Sequence, residues 1–118
     1  MNTLTNNEKT VLCYMVCNSN SWCESINFNN EWDFGEDYFE GHITVNEIVK
    51  CSGLTSRTIK GVIGSLCKKK VIYNIGENGN YNGFYFYKET FDTYKEELKD
   101  TMNKMIKNGV KFENLFKN

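Results

Sequence analysis

Two short amphipathic stretches flank Gly53 with almost no chain between them, so any fold must bring their apolar faces together across a turn of a few residues. Thr44 and Glu47 stand three apart, the spacing at which each side chain satisfies one orphan backbone donor at a helix start. Gly53 follows the last periodic apolar residue, where a left-handed conformation costs glycine little, and Thr55 is placed to cap a second helix beginning at Ser56. In that second helix Ile59, Val62, Ile63 and Leu66 form one apolar stripe, which leaves Arg57, Lys60, Gly61, Gly64, Ser65 and Lys68 on or near the other face. Residues 71–75 and 83–87 are rich in β-branched and aromatic side chains, and the run GENGNYNG joins them with the glycine and asparagine that hairpin turns need.

The flanks are read the same way. Thr5 and Glu8 repeat the capping-box spacing, and Val11, Leu12, Met15 and Val16 continue a first helix to about Asn18. Periodicity then stops. Residues 18–41 mix Asn, Ser and acids with Trp22, Phe28, Trp32, Phe34, Tyr38 and Phe39, too many large apolar groups for plain disorder, so an ordered insertion is expected. Its aromatics are of the kinds enriched at interface hot spots, which marks it as a candidate surface for a protein partner; the plainer reading is that they pack onto the first helix. His42 and Ile43 are expected to supply a short strand pairing with the ribbon. Beyond it, Phe91, Tyr94, Leu98, Met102, Met105 and Ile106 share a helical stripe, predicting a C-terminal helix over 90–108 that Gly109 ends. That stripe is a candidate homodimer seam, the alternative being that it closes its own domain. Val110, Phe112, Leu115 and Phe116 form an apolar tail expected to dock.

A formal net charge of -1 conceals a strong segregation. Residues 50–88 carry seven bases against Glu77 alone, a local balance of +6, whereas residues 19–47 carry seven acids and neither Lys nor Arg. A polyanion meets the local field, so the basic half is the candidate nucleic-acid surface and the acidic half is expected to face elsewhere. The 118 residues suit one domain with one core. Five cysteines, no signal pattern and no long apolar run lead to the expectation of a reducing cytoplasm and no membrane span. Asparagine appears 17 times while proline, alanine and glutamine are absent, the bias of an AT-rich genome such as that of a phage or a low-GC bacterium.

Cys13, Cys17, Cys23, Cys51, Cys67 and His42 include no C-x-x-C pair, so buried free thiols are expected in preference to a metal site. With one histidine and no nucleophile elbow, Walker loop or H-E-x-x-H, the chain is read as a non-enzyme without a cofactor.

The run T-x-x-E-I-x-x-x-S-G-L-T-x-R-T-I-x-x-x-I-x-x-L-x-x-K-x-V-I over residues 44–72, with the aromatic return strand behind it, resembles the winged helix-turn-helix superfamily of bacterial and phage regulators, broadly the MarR, GntR and Lrp groups. The resemblance implies an α+β, mainly α, single domain over 1–118: a three-helix core, a helix-turn-helix at 44–70, a β-hairpin wing at 71–88, the acidic aromatic insertion at 18–41 and the C-terminal helix. It also implies binding of double-stranded DNA by a transcriptional regulator. The contacts expected are Ser56, Arg57, Thr58, Lys60, Gly61, Gly64, Ser65, Lys68 and Lys69 on the second helix and its end, with Asn78 and Asn80 at the wing tip. The wing tip carries Glu77 and no base, unlike a phosphate-gripping wing. The alternative is a winged-helix protein-interaction module, or an accessory of replication initiation, whose acidic insertion captures a protein.

Overall fold

The computed structural model describes residues 3–19, 26–29, 31–32, 35–74 and 83–112. Among these, the chain forms α1 (Asn6–Asn18), β1 (Tyr38–His42), α2 (Val45–Ser52), α3 (Ser56–Lys68), β2 (Tyr73–Asn74), β3 (Gly83–Tyr87) and α4 (Lys88–Lys107). It is a mainly helical domain with one three-stranded antiparallel sheet, strand order β1-β3-β2.

Local chemistry sets the helix boundaries. Thr5 and Glu8 at the start of α1, and Thr44 and Glu47 at the start of α2, both close reciprocal capping boxes. The Thr55 hydroxyl accepts the Thr58 amide at 3.2 Å and starts α3. Gly53, at φ +72°, ends α2 with its amide on the Val49 carbonyl, and Gly109, at φ +97°, lies just past α4. Lys70 ends α3 in the same left-handed region, at φ +61°, without being glycine. Its amide bonds the Cys67 carbonyl and the Val71 amide bonds the Leu66 carbonyl, the paired bonds of a Schellman motif, with Val71 and Leu66 both buried.

The helices pack by the stripes described above. α3 buries Ile59, Ile63 and Leu66, α2 buries Ile48, and α1 lies across both and across α4. The α4 stripe of Phe91, Tyr94, Leu98, Met102 and Met105 is buried inside the chain: the Cys13 thiol reaches the Leu98 carbonyl at 3.5 Å and the Cys17 thiol the Met102 sulfur at 3.6 Å. Phe112 docks its ring on Tyr14 with centroids 5.6 Å apart. The rest of the apolar tail, including Leu115 and Phe116, lies outside the described residues.

Three expectations are corrected. The strand before α2 spans Tyr38–His42 instead of His42 and Ile43, so the last part of the expected insertion is an outer strand of the sheet, paired along its length from Tyr38 opposite Tyr87 to His42 opposite Gly83. In the remaining segment Phe28 is buried and Trp32 is half-buried against the core, so both pack inward, while Trp22 and Phe34 lie outside the described residues. Phe28 stacks on Phe91 at 5.9 Å and meets Phe86 edge-on, Trp32 meets Phe91 at 5.2 Å, and Phe39 is fully buried. The physical reason is that the inward Phe86 ring of β3 and Phe91 of α4 need an apolar neighbour between sheet and helix, and Phe28 supplies it. Gly41 lets that packing close, since a Cβ there would stand 2.6 Å from the Phe84 ring. The ribbon also differs in extent: β2 is Tyr73–Asn74, with Val71 and Ile72 buried ahead of it, and residues 75–82 lie outside the described set.

Candidate nucleic-acid interface

On α3 the 3.6-residue repeat aligns Arg57, Gly61, Gly64 and Lys68 in one line opposite the buried Ile59, Ile63 and Leu66. All four are exposed, as are Ser56 and Lys60. Among the described residues none of Arg57, Lys60 and Lys68 is in an ion pair, so three cations on one helix face meet solvent uncompensated. Nothing lies within 4 Å of where a Cβ would stand at Gly61 or Gly64, so the middle of the line is bare backbone surface between two cationic ends. A shallow groove of about 410 Å³ runs along one side, between Thr5, Asn7 and Glu8 at the start of α1 and Arg57, Gly61 and Ser65 of α3.

The other expected contacts are placed differently. Thr58 is half-buried and its hydroxyl bonds that of Thr55 at 2.9 Å, within the α3 cap. Ser65 and Lys69 turn toward α1, where the Ser65 hydroxyl donates to Glu8 Oε2 at 2.5 Å and Lys69 Nζ donates to Glu8 Oε1 at 2.7 Å and to the Thr3 carbonyl at 2.9 Å. Glu8 Oε1 also accepts the Thr5 amide at 2.7 Å. One carboxylate therefore closes the cap of α1 and ties α1 to the end of α3. Burial pushes the Glu8 carboxyl up, but hydrogen bonds from Lys69, Ser65 and the Thr5 amide, with the Lys69 charge, outweigh it and bring it down to about 2. Asn78 and Asn80 lie outside the described residues.

Glu8 is the residue that sequence reading assigned too small a role. Its spacing to Thr5 revealed the cap, but 61 residues separate it from Lys69 and no local pattern links them.

Burial of the thiols holds for Cys13 and Cys17 on α1, whereas Cys67 is half-buried and Cys51 exposed; none of these four makes a disulfide, and Cys23 lies outside the described residues. Burial pushes Cys13 up to about 12 and Cys17 well above the ordinary thiol range, so neither is a ready nucleophile. Among the described residues no three His, Cys, Asp or Glu side chains gather into a metal-binding group, and no helix is long and apolar enough to cross a membrane. Comparison with protein-family models, with curated proteins and with solved structures finds no match for this chain.

Proposed function

We propose that this chain is a winged helix-turn-helix protein that binds double-stranded DNA through α3 and acts as a transcriptional regulator. The observation that carries the reading is the outward line of Arg57, Gly61, Gly64 and Lys68, flanked by Lys60, on a helix whose opposite face is anchored in the core. A helix of this size fits the major groove, where an arginine can donate two hydrogen bonds to a guanine edge and lysines reach phosphates. The bare backbone at Gly61 and Gly64 lets a groove wall approach closely. The element order α1-β1-α2-α3-β2-β3, with β3 between its two partners, supports the winged-helix reading, in which residues 71–88 would be the wing. In this reading Arg57 reads a base, Lys60 and Lys68 hold phosphates, and Ser65 and Lys69 hold α3 in place through Glu8.

Binding of short duplexes measured across a salt series tests the proposal. Affinity is expected to fall steeply between roughly 50 and 200 mM salt, as counterion release requires. Arg57→Ala should cost about 1–3 kcal/mol and relax preference at one base pair, while Lys60→Ala and Lys68→Ala weaken all sequences alike and flatten the salt slope by about one each. Gly61→Ala and Gly64→Ala should each raise stability by up to about 1 kcal/mol, because helical alanine is favoured and the added methyl meets nothing, yet weaken DNA binding. An affinity indifferent to salt and to Arg57 would overturn the reading.

A further inference from the structure

Alternation along the strands sorts the sheet into two unlike faces. Phe39, Phe84 and Phe86 point inward, and Tyr38, Tyr73, Tyr85 and Tyr87 point outward from all three strands. The four outer rings touch in series: Tyr85 meets Tyr38 edge-on at 5.1 Å, Tyr38 meets Tyr87 at 5.9 Å, and Tyr87 meets Tyr73 nearly perpendicular at 5.3 Å. Among the described residues no helix covers them, and Tyr38, Tyr73 and Tyr87 are 37%, 42% and 38% exposed. At the Tyr73 and Tyr87 end, the rings form one wall of a hollow of about 820 Å³ whose rim carries Asp37, Lys88, Glu89 and Asp92.

The charge of that rim selects the occupant. Lys88 is neutralised by Asp92 at 2.9 Å, and neither Asp37 nor Glu89 is in an ion pair among the described residues, so two carboxylates face the hollow without a cation. Glu89, in the first turn of α4, also offsets the positive end of that helix. A row of aromatic rings alone suits stacked bases equally well, but single-stranded nucleic acid needs a basic groove along its phosphates, and this rim is acidic. Electron-rich ring faces beside carboxylates that have no cationic side chain paired to them among the described residues are instead the combination that attracts a desolvated cation.

We propose that the outer sheet face and its hollow are a docking site for an arginine- or lysine-bearing segment of a protein partner, one cationic side chain entering between Tyr73 and Tyr87 toward Asp37 and Glu89. The site shares no residue with the α3 line, so a partner could be held while DNA is bound. It also relocates the partner surface from Phe28, which is buried, and Trp32, which packs half-buried on Phe91, to tyrosines more open to solvent.

The test is titration of the full chain with a short Arg/Lys-rich peptide, following the tyrosine ring signals by NMR, with an Asp/Glu-rich peptide of equal length and a short oligothymidylate as parallel probes. The basic peptide is expected to shift the Tyr73 and Tyr87 ring signals saturably. Its affinity should fall about tenfold in Tyr73→Leu, hold in Tyr73→Phe, which keeps the ring, and fall similarly in Asp37→Asn combined with Glu89→Gln, which leaves ring packing intact. Duplex-DNA affinity should not fall in the Asp37→Asn, Glu89→Gln variant, whose substituted residues lie outside both α3 and the wing. Equal or stronger shifts from the acidic peptide or from the oligonucleotide would overturn the proposal, as would basic-peptide binding that ignores both the leucine and the amide substitutions, or no ring shift at roughly millimolar peptide. Should Tyr73→Leu fail to fold, the amide pair and the wild-type ring shifts decide.

Discussion

Glu8 illustrates how much one side chain can settle. Its carboxylate accepts from a backbone amide, a hydroxyl and an ammonium, so protonating it weakens three contacts together. The folded carboxyl titrates at about 2 against an ordinary 4.5, which means the stabilisation is fully present above about pH 4.5 and is lost as the pH falls toward 2. Because Lys69 keeps partial contact with solvent, the loss is expected to be about 2 kcal/mol, somewhat less than the full shift would imply. Thermal melts from pH 6 down to pH 2, taken on the wild type and on Glu8→Gln, check this: the variant should be less stable at neutral pH and show a flatter acid limb. Lys69→Ala should likewise lower the melting temperature more than it lowers DNA affinity, whereas Lys60→Ala should do the reverse. An equal loss of DNA affinity in both would return Lys69 to the contact surface.

Among the elements, the end of α3 is the least expected. Gly53 and Gly109 announce the ends of α2 and α4 because glycine takes positive φ without a Cβ penalty, but Lys70 holds the same conformation with a side chain present. The two Schellman bonds and the Val71–Leu66 pair outweigh that cost and turn the chain into the sheet. Lys70→Gly should therefore stabilise the fold by about 0.5–1 kcal/mol in urea unfolding, with no change in m-value, since the glycine relieves strain and leaves the packing alone. A loss of stability would mean that the Lys70 side chain contributes more than its backbone costs. The sheet teaches a related lesson. β1 was legible only at its end because residues 18–41 lack a sustained alternating pattern, and pairing with β3 selected Tyr38–His42 as strand.

At the level of the whole molecule, charge and apolar surface are distributed so that each face offers something different: cations on α3, tyrosines and carboxylates on the sheet, and no apolar seam on α4. The α4 stripe that motivated a homodimer lies against α1 and the sheet inside one chain. Purified chain at micromolar concentration is therefore expected to give a monomer mass by light scattering, with any pairing arising only as two copies occupy adjacent half-sites on DNA. A concentration-independent dimer without DNA would require a different interface and would revise the picture of α4 as an internal closure.

The capped starts of α1, α2 and α3, helix ends marked by glycine, the apolar stripes and the outward cations of α3 are all local or periodic properties, readable from the residues alone, whereas α4 starts at Lys88, two residues before the expected 90, with no side-chain cap to mark it. The Glu8–Lys69 tie, the strand at Tyr38–His42 and the burial of Phe28 and Phe39 join parts of the chain that lie far apart in sequence, and only the packed fold could decide them. The aromatics show the reason most plainly. Phe39 and Tyr38 are neighbours of similar size and apolarity, yet one is fully buried and the other open to solvent, because strand alternation sends them to opposite faces and only one face of this sheet has a core against it.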